Sequence, residues 1–502
     1  MFKNVFLVFF LILIVRLNAK STIDFNANCK QAYIQMMELD FSTSDQLLRN
    51  ENSNQKGNLI PQYISVYQLF IKSMVDESQI TINLYQQQSD KVLNLFENLN
   101  ASSSPWINYC IADIYIQKTF LNFRNQSYMS GVNCLRKAMS ALESNKQMYP
   151  GFLPNKKIGS LLHIGFGSVP SQYTWILSMF NINASVNQGF RDLEMLTTLS
   201  LKNPAYFFLR NECLMISSFT SYNFSAGKEK ILSVLKILEN DTLEDFVSIS
   251  PFMVFSKMSL YQNLKQNEKA LQCFFSYRNS TKEQKFHYLN FMVGECMLNK
   301  LDITARYYFE LYLANFKGNS YKKAAQQKIA WIELLKGNQH IYKVELQKIA
   351  NMPQTIVDAD KQAVKELKQN YLPDLNLLKS RLLFDGGYYK EAINLLQQKG
   401  FSDGFNEKET LEFYYRQARV FHEMGNTENA LFYYRKTIEK GKKLTYYFAA
   451  NAALQSGFIY EEQRNKIKAK EMFELCLSFD YDEYQNSISQ KAKAGLNRLE
   501  KK

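Results

Sequence analysis

Proline and glycine are scarce in this chain, which has only 9 prolines and 19 glycines among 502 residues. Collagen-like and proline-rich chains need far more of both, so these classes are excluded. An all-β sandwich or barrel needs a turn about every 8–12 residues, so the scarcity of turn residues also argues against that class. Hydrophobic residues make up 46% of the chain, which is enough for a packed core and excludes wholesale disorder.

Cysteine and histidine are also sparse and are never clustered. The seven cysteines form no CxxC pair, and the four histidines form no HExxH motif. Zinc fingers, thioredoxin-type redox centres and HExxH proteases are therefore excluded, and we expect neither a metal nor a cofactor. Most cysteines stand beside apolar residues, which favours buried free thiols. An oxidising compartment would permit one or two disulfides, and Cys110 and Cys134 are the pair closest in sequence.

Motifs that carry catalysis are missing as well. The segment Gly165–Ser168 has two glycines, but it lacks the GxxxxGK[ST] pattern and the preceding strand of a phosphate-binding loop. There is no GxSxG elbow, no spacing that assembles a Ser–His–Asp set, and no pair of acids suited to glycoside cleavage. We therefore predict that the chain is not an enzyme.

The N-terminus has the pattern of an export signal. Lys3 precedes an uninterrupted apolar run from Val5 to Val15, Arg16 ends that run, and Ala19 is a small residue at the cleavage position. The run is shorter than the ~20 residues that span a membrane, so a removed signal over residues 1–19 is favoured over a membrane anchor. No later segment is apolar and long enough to span a membrane.

The predicted compartment is therefore the periplasm or cell envelope, or the secretory lumen if the source is eukaryotic. The net charge of +13 permits peripheral association with an acidic envelope, although no single basic block dominates the sequence. Six Asn-x-Ser/Thr triplets would accept glycans only in a eukaryotic secretory route, and they begin at Asn100, Asn125, Asn183, Asn223, Asn240 and Asn279.

Two C-terminal segments share one pattern of small and aromatic residues. In each, an aromatic follows a small residue by three positions, an alanine follows nine later, and another aromatic follows after four more. The two sets are Ala418, Phe421, Ala430 and Tyr434, and Gly457, Tyr460, Ala469 and Phe473. In the first set, Gly425 lies between the two helices, where glycine lets the chain turn with a positive φ. A small residue lets a second helix approach closely, and the aromatic fills the space beside it. This pattern resembles the tetratricopeptide repeat, a helix–turn–helix unit of about 34 residues.

Weaker copies precede this pair. They are Ser380, Leu383, Gly387, Ala392 and Leu396; Gly294, Met297, Ala305 and Phe309; and Met258, Tyr261, Ala270 and Phe274, with Lys265 in place of the turn glycine. The segment from Ala324 to Leu335 reads as helical but lacks the pattern. We predict an all-α fold, a right-handed α-solenoid of tetratricopeptide-like hairpins, with an irregular helical region at 20–245 and a repeat array at 246–502.

A second resemblance lies at Ile158–Leu196. Gly159, Gly165, Pro170 and the run Gly189–Leu193 are similar to the central segment of a eukaryotic tetratricopeptide family linked to inclusion-body clearance. The likeness implies a helical repeat fold with a non-standard central hairpin. Close helix packing explains the small residues Gly165, Gly167 and Ser168 better than phosphate binding does.

The repeat resemblance and the missing catalytic motifs together predict a scaffold that binds protein partners. Tyrosine doublets recur along the chain, and one member of each should face the core while the other points outward. The predicted partner-binding residues are Tyr414, Tyr415, Arg416, Arg419 and Tyr434. Nucleic acid is not an expected partner. Two alternatives stay open: glycan or nutrient capture at the cell surface, and an enzyme with its site between Lys20 and Asp241.

Overall fold

The structure is a computed structural model that describes residues 23–55, 57–167, 185–224, 227–240, 243, 249–280, 285–369, 371–400, 404–481 and 483–500. Every regular element within these ranges is a helix. The predicted all-α fold of helical hairpins is therefore confirmed. The predicted signal at 1–19 lies outside the described residues, as does most of the predicted boundary near residue 245.

The chain divides into two compact units. Unit 1 comprises Met1–Lys257 and Tyr277–Phe286, and unit 2 comprises Met258–Ser276 and His287–Lys502. The helices of unit 1 within the described ranges are α1 Ala27–Met37, α2 Phe41–Asn54, α3 Ile60–Asp76, α4 Gln79–Glu97, α5 Pro105–Arg124, α6 Tyr128–Met148, α7 Asn155–Gly167, α8 Val186–Lys202, α9 Arg210–Phe224 and α10 Lys228–Leu238.

The first hairpin of unit 1 shows how its helices pair. Asn26 caps α1 by accepting a hydrogen bond from the Cys29 amide, and Asp40 caps α2. Between the two helices, Leu39 takes a left-handed conformation with φ of 58°. The hydroxyl of Ser44 then donates to the carbonyl of Ala32 at 2.7 Å, so a small polar residue marks the closest approach of the two helices.

Packing of α7 against α8 explains some of the small residues that the sequence singled out. A Cβ atom on Gly189 would lie 2.9 Å from the carbonyl oxygen of Ser160, so only glycine permits this approach. A Cβ atom on Gly167 would lie 2.4 Å from Cγ2 of Val186 on α8, so the packing explanation is confirmed for Gly167. It is wrong for Gly165, whose Cβ position has open space within 4 Å. The Pro170 bend of the resemblance lies outside the described residues.

Helices α11 and α12 each contain a boundary between the two units. The later helices belong to unit 2. Their bounds are α11 Pro251–Asn263, α12 Asn267–Ser280, α13 Tyr288–Asn299, α14 Ala305–Asn315, α15 Lys322–Leu335, α16 Gln339–Gln347, α17 Asp358–Gln369, α18 Leu375–Gly386, α19 Tyr389–Lys399, α20 Glu407–Glu423, α21 Thr427–Gly441, α22 Phe448–Glu462, α23 Lys466–Ser478 and α24 Gln485–Glu500. From α18 to α24 each helix contacts the next one along the chain, and α18, α20, α22 and α24 also contact one another in succession.

The hairpin turns of unit 2 share one backbone conformation. Seven residues after each small residue of the repeat pattern, the chain adopts a positive φ. Gly425 has φ of +76° and Gly387 of +85°, as the pattern predicts. Lys265 has φ of 58°, which confirms that it occupies the glycine position, and Arg464 does the same at 59°. Asn426 then caps α21 directly after the turn.

Contacts between small and aromatic residues confirm the physical reason for the repeat. A Cβ atom on Gly294 would lie 2.8 Å from the ring of Phe309, and one on Gly457 would lie 2.5 Å from the ring of Phe473. In both hairpins, the absence of a side chain on the first helix admits an aromatic ring from the second helix.

One hairpin was missed by the sequence pattern. Helices α15 and α16 form a hairpin in which Ala330 is the small residue and Gly337, seven positions later, has φ of +86°. The prediction that 324–335 is a helix is confirmed, and its hairpin keeps the backbone turn without the residue pattern. Glu333, Tyr342 and Leu346 stand where the pattern has an aromatic, an alanine and a second aromatic, and these three exchanges hid the repeat.

None of the helices in the described ranges combines the length and the hydropathy needed to cross a membrane. Across the same ranges, no three His, Cys, Asp or Glu side chains come together as metal ligands would. All seven cysteines lie in the described ranges, and none forms a disulfide. Cys110 and Cys134 are therefore not joined, and Cys110 is fully buried.

Candidate functional site

The five predicted partner-binding residues lie on one hairpin of unit 2, formed by α20 and α21. Tyr434 is 0% exposed, Tyr415 is 2% exposed and Arg416 is 7% exposed. Tyr414 and Arg419 are partly exposed. Direct contact with a partner is therefore corrected to a packing role for Tyr415, Arg416 and Tyr434. The binding role of Tyr414 and Arg419 stays a prediction.

Tyr415 and Arg419 connect α20 to the neighbouring hairpins. The Tyr415 hydroxyl accepts hydrogen bonds from Arg419 Nη1 at 3.1 Å and from Asn451 Nδ2 of α22 at 2.8 Å. The Arg419 guanidinium lies 5.0 Å from the ring centre of Phe384 on α18, which is a cation–π distance. These contacts fix the stacking of three successive hairpins.

Arg416 belongs to a cluster of charged side chains that lies between repeats. Its Nε and Nη2 atoms donate to Glu412 Oε1 at 3.0 Å and 2.7 Å. Burial alone would raise the pKa of Glu412, but the attraction of Arg416 outweighs burial and lowers it. Lys265 acts in the same way on Asp385, since its Nζ lies 2.9 Å from Asp385 Oδ1. The attraction of this ammonium group outweighs the effect of burial and lowers the pKa of Asp385. The cluster is paired internally, so it presents little unbalanced charge.

The accessible aromatic surface of this hairpin is different from the predicted set. It consists of Tyr414 and Phe421 on α20 and of Phe432 and Tyr433 on α21, and we name it the aromatic strip. The Tyr433 ring is nearly parallel to Phe421, with ring centres 5.7 Å apart, and lies 6.5 Å from Tyr414. Phe432 is 48% exposed, and the other three rings are partly exposed.

Two lysines of α21 cover the aromatic strip. Lys436 Nζ lies 4.7 Å from the ring centre of Phe432 and 5.5 Å from that of Tyr414. Lys440 Nζ lies 5.9 Å from the same Tyr414 ring. Rings and ammonium groups therefore share one face of the hairpin, which suits a ligand that is both aromatic or aliphatic and negatively charged.

The sequence predicts that one tyrosine of each doublet faces outward, and we call this expectation the doublet rule. It explains why this face was partly missed. Tyr414 and Tyr433 point outward while their neighbours Tyr415 and Tyr434 are buried, as the rule predicts. The sequence could not tell which member of each doublet faces out. The rule fails for the doublets at 307–308, 388–389 and 446–447, where neither tyrosine is buried.

Unit 1 contains a buried ionic cluster that the sequence did not indicate. Lys157 Nζ lies 2.8 Å from Asp113 Oδ1 and 2.9 Å from Glu212 Oε1. The three side chains are 1%, 4% and 2% exposed. Burial alone would lower the pKa of Lys157, but Asp113 and Glu212 outweigh it and raise that pKa well above its usual value. We name these three residues the lysine triad.

Tyrosine hydroxyls complete the coordination of the lysine triad. Tyr63 donates to Asp113 Oδ2 at 2.7 Å, Tyr33 donates to Glu212 Oε2 at 2.5 Å, and Tyr67 donates to Glu212 Oε1. Burial raises the pKa of each of these tyrosines, so all three remain protonated donors at neutral pH. The two carboxylates, which share a single cation, are thus satisfied by neutral donors as well.

The lysine triad bears on the alternative of an enzyme in residues 20–241. Clustered polar side chains are present there, as that alternative requires. However, a substrate would need to reach Lys157, and its side chain is only 1% exposed. The cluster therefore acts as an internal support for unit 1. Its three members lie far apart in the sequence, on α5, α7 and α9, so no spacing rule could have assembled them.

Comparison with known proteins locates the repeat family within this region. The family model of the tetratricopeptide repeat matches residues 411–439, which cover most of α20 and α21. The predicted tetratricopeptide repeat is therefore confirmed for the hairpin at residues 411–439, and the aromatic strip lies on this matched repeat. No curated protein shows significant sequence similarity to the chain.

One solved structure covers almost the whole chain. The crystal structure of the APC/C hetero-tetramer Cut9–Hcn1 matches 93% of this chain and 95% of its own, at 11% identity and a TM-score of 0.24. A TM-score this low supports no inference from that complex, so the fold described above rests on the helices and their contacts.

Proposed function

We propose that this chain is a non-enzymatic scaffold of the periplasm or cell envelope, and that it binds a protein partner through the aromatic strip. The observation that carries the proposal is the face shared by four partly exposed rings and two lysines on the matched repeat. Aromatic side chains are enriched in the cores of protein interfaces, where they bury a large area at low entropic cost.

The charge of the strip indicates the chemistry of the partner. Lys436 and Lys440 lie over Tyr414, so positive charge lies beside the accessible rings of the strip. The full chain has a net charge of +13. A partner surface with apolar anchors flanked by acidic side chains would complement both features.

The compartment part of the proposal rests on the N-terminal pattern. Lys3, the apolar run Val5–Val15 and Ala19 support export and cleavage before Lys20. Fractionation of cells that express a C-terminally tagged chain tests this part. We expect the tagged protein in the envelope fraction, with Lys20 as its first residue by mass spectrometry. A cytoplasmic chain that retains residues 1–19 would contradict export.

The scaffold itself is tested by crosslinking in intact cells, followed by mass spectrometry of the captured proteins. We expect one or two stoichiometric envelope proteins with the natural chain. A double variant, Tyr414→Ser with Phe432→Ser, should lose them because both substitutions remove accessible rings. Tyr414 also packs against the buried cluster of Leu377, Leu396 and Phe413, so circular dichroism of the variant checks that it is folded. Ile467→Ser is the matched control, since Ile467 is 75% exposed on α23 of the same unit.

The outcomes separate the parts of the proposal. Equal capture by the double variant and the control would show that the partner binds elsewhere. An exported, folded chain that captures no protein would contradict the scaffold, and glycan arrays would then test the alternative of glycan capture.

A further inference from the structure

A second accessible feature of unit 2 is a cavity of about 480 Å³ beside α15 and α17. Four of its lining residues are lysines, namely Lys323, Lys361, Lys365 and Lys368, and its one acid is Asp360. We name it the lysine cavity. A volume of this size falls within the range of ligand sites in proteins.

Three of the lysines lie along one face of α17. Lys361, Lys365 and Lys368 are spaced at i, i+4 and i+7, so their side chains emerge on the same side of the helix. Like charges at this spacing repel each other and destabilise a helix. Lys361 and Lys365 each pair with an acid, which offsets part of this repulsion, and a bound anion would relieve the rest.

The fourth lysine comes from the first turn of α15. A cation at a helix N-terminus is unfavourable because the helix dipole is positive there. Lys323 is nevertheless only 6% exposed, and it makes no hydrogen bond or ion pair within the described part of the chain. Burial of an unpaired ammonium group beside a cavity is a second unfavourable arrangement that an anion would relieve.

Asp360 does not take the place of such an anion. Its Oδ1 accepts from the Ala324 amide at 2.8 Å, and its Oδ2 accepts from the Tyr321 amide at 2.8 Å and the Thr355 hydroxyl at 2.7 Å. The carboxylate thus caps the start of α15, and three of its hydrogen-bonding positions are occupied by these groups. It satisfies the amide groups, so an anion in the cavity would be held by the lysines.

The remaining ion pairs leave the cavity positive. Lys361 pairs with Asp358 at 3.0 Å, but these side chains are 59% and 84% exposed, so water screens the pair. Lys365 pairs with Glu483. Lys368, like Lys323, has no ion-pair partner among the residues that the structure describes.

We propose that the lysine cavity binds acidic side chains of the protein partner. This inference rests on the proposed scaffold function and specifies the chemistry of its partner. The volume exceeds what a single small anion would fill, and Val364 together with the lysine stems provides apolar walls. Two or three consecutive Glu or Asp side chains suit such a lining better than one compact anion.

The experiment uses the full chain and a fluorescent five-residue peptide of glutamate, at low and at physiological salt. We expect one peptide per chain, with affinity that falls as salt rises. The double variant Lys323→Met with Lys368→Gln should bind at least tenfold more weakly. The control Lys343→Gln with Lys390→Gln removes two exposed charges of the same unit and should stay within twofold. Lys368→Gln alone, at an exposed position, should weaken binding about threefold without affecting folding.

Three results would overturn the inference. The first is equal weakening in the variant and the control, which would show general attraction to a basic surface. The second is displacement of the peptide by inorganic phosphate but not by free glutamate at the same ionic strength, which would assign the cavity to phosphate groups. The third is undiminished crosslinking of the partner by the Lys323/Lys368 variant, which would leave the scaffold standing without this contact. Failure of the scaffold would instead appear as no captured protein from the natural chain.

Discussion

Replacement of Lys157 by methionine tests the role assigned to the lysine triad. Methionine fills a similar volume but leaves the carboxylates of Asp113 and Glu212 buried without their cation. Both acids are at least 96% buried as side chains, since 4% and 2% of them are exposed. Loss of one partner from a buried, hydrogen-bonded ion pair destabilises a protein by about 3–5 kcal/mol. We expect a loss of this size in the free energy of unfolding of unit 1.

The neighbouring residue supplies the control. Lys156 pairs with Asp192 at 2.6 Å, but its side chain is 32% exposed, so Lys156→Met should cost no more than about 1 kcal/mol. Hydrogen exchange read by mass spectrometry on peptides from α5 and α9 gives the stability of unit 1 directly.

A third variant separates charge from packing. The triple replacement Lys157→Met, Asp113→Asn and Glu212→Gln removes all three charges while keeping the size of the side chains. It should recover part of the lost stability, because no unpaired charge stays buried and each amide oxygen can still accept from a tyrosine. The recovery is incomplete because Tyr33 and Tyr67 donate to different oxygens of Glu212, and glutamine keeps only one of them. Equal protection in Lys157→Met and Lys156→Met would refute the reasoning, and so would a triple variant as unstable as Lys157→Met.

Three further predictions concern unit 2. Gly425→Ala should destabilise it by about 1 kcal/mol in urea unfolding, because φ of +76° disfavours any Cβ although the surrounding space is open; an unchanged midpoint would contradict this. Gly457→Ala should cost about 1–3 kcal/mol in the same assay, since its Cβ would lie 2.5 Å from the Phe473 ring, and the double change with Phe473→Leu should recover part of the loss. Arg416 lowers the pKa of Glu412, so this pair stabilises unit 2 above about pH 4.3 and the contribution is lost as the pH falls through the lower folded pKa. Glu412→Gln should therefore flatten the acid limb of the stability profile, and an unaltered limb would contradict the assignment.

The parts of the fold that the sequence predicted depend on local geometry. Ala418 and Gly425 were recognisable because close approach demands a small side chain and a positive φ favours glycine. Where another residue accepts that φ at some energetic cost, as Leu39 does in unit 1, the same turn carries no signal in the sequence. Degenerate hairpins such as α15–α16 were missed for a related reason, since a different core can fill the same space.

The candidate surfaces were predicted less well, because exposure depends on how hairpins stack. Tyr415 and Arg416 have the residue types of a binding surface, but the adjacent hairpins bury them. The outward rings at Tyr414 and Phe432 became identifiable only from their positions on the packed hairpin. The lysine cavity is lined by Lys323 and by three lysines of α17, and these two segments lie more than thirty residues apart in the sequence. No local motif therefore marks it.

The lysine triad also has a consequence for the order in which unit 1 comes apart. It joins α5, α7 and α9, and its tyrosine donors come from α1 and α3. Removal of any one of these helices would leave a desolvated charge or an unsatisfied donor among the rest, so partly assembled forms of unit 1 are penalised. Its opening should be all-or-none across these helices. An array whose hairpins contact mainly their neighbours, as in the C-terminal part of unit 2, can instead lose its last hairpin while the remainder stays folded.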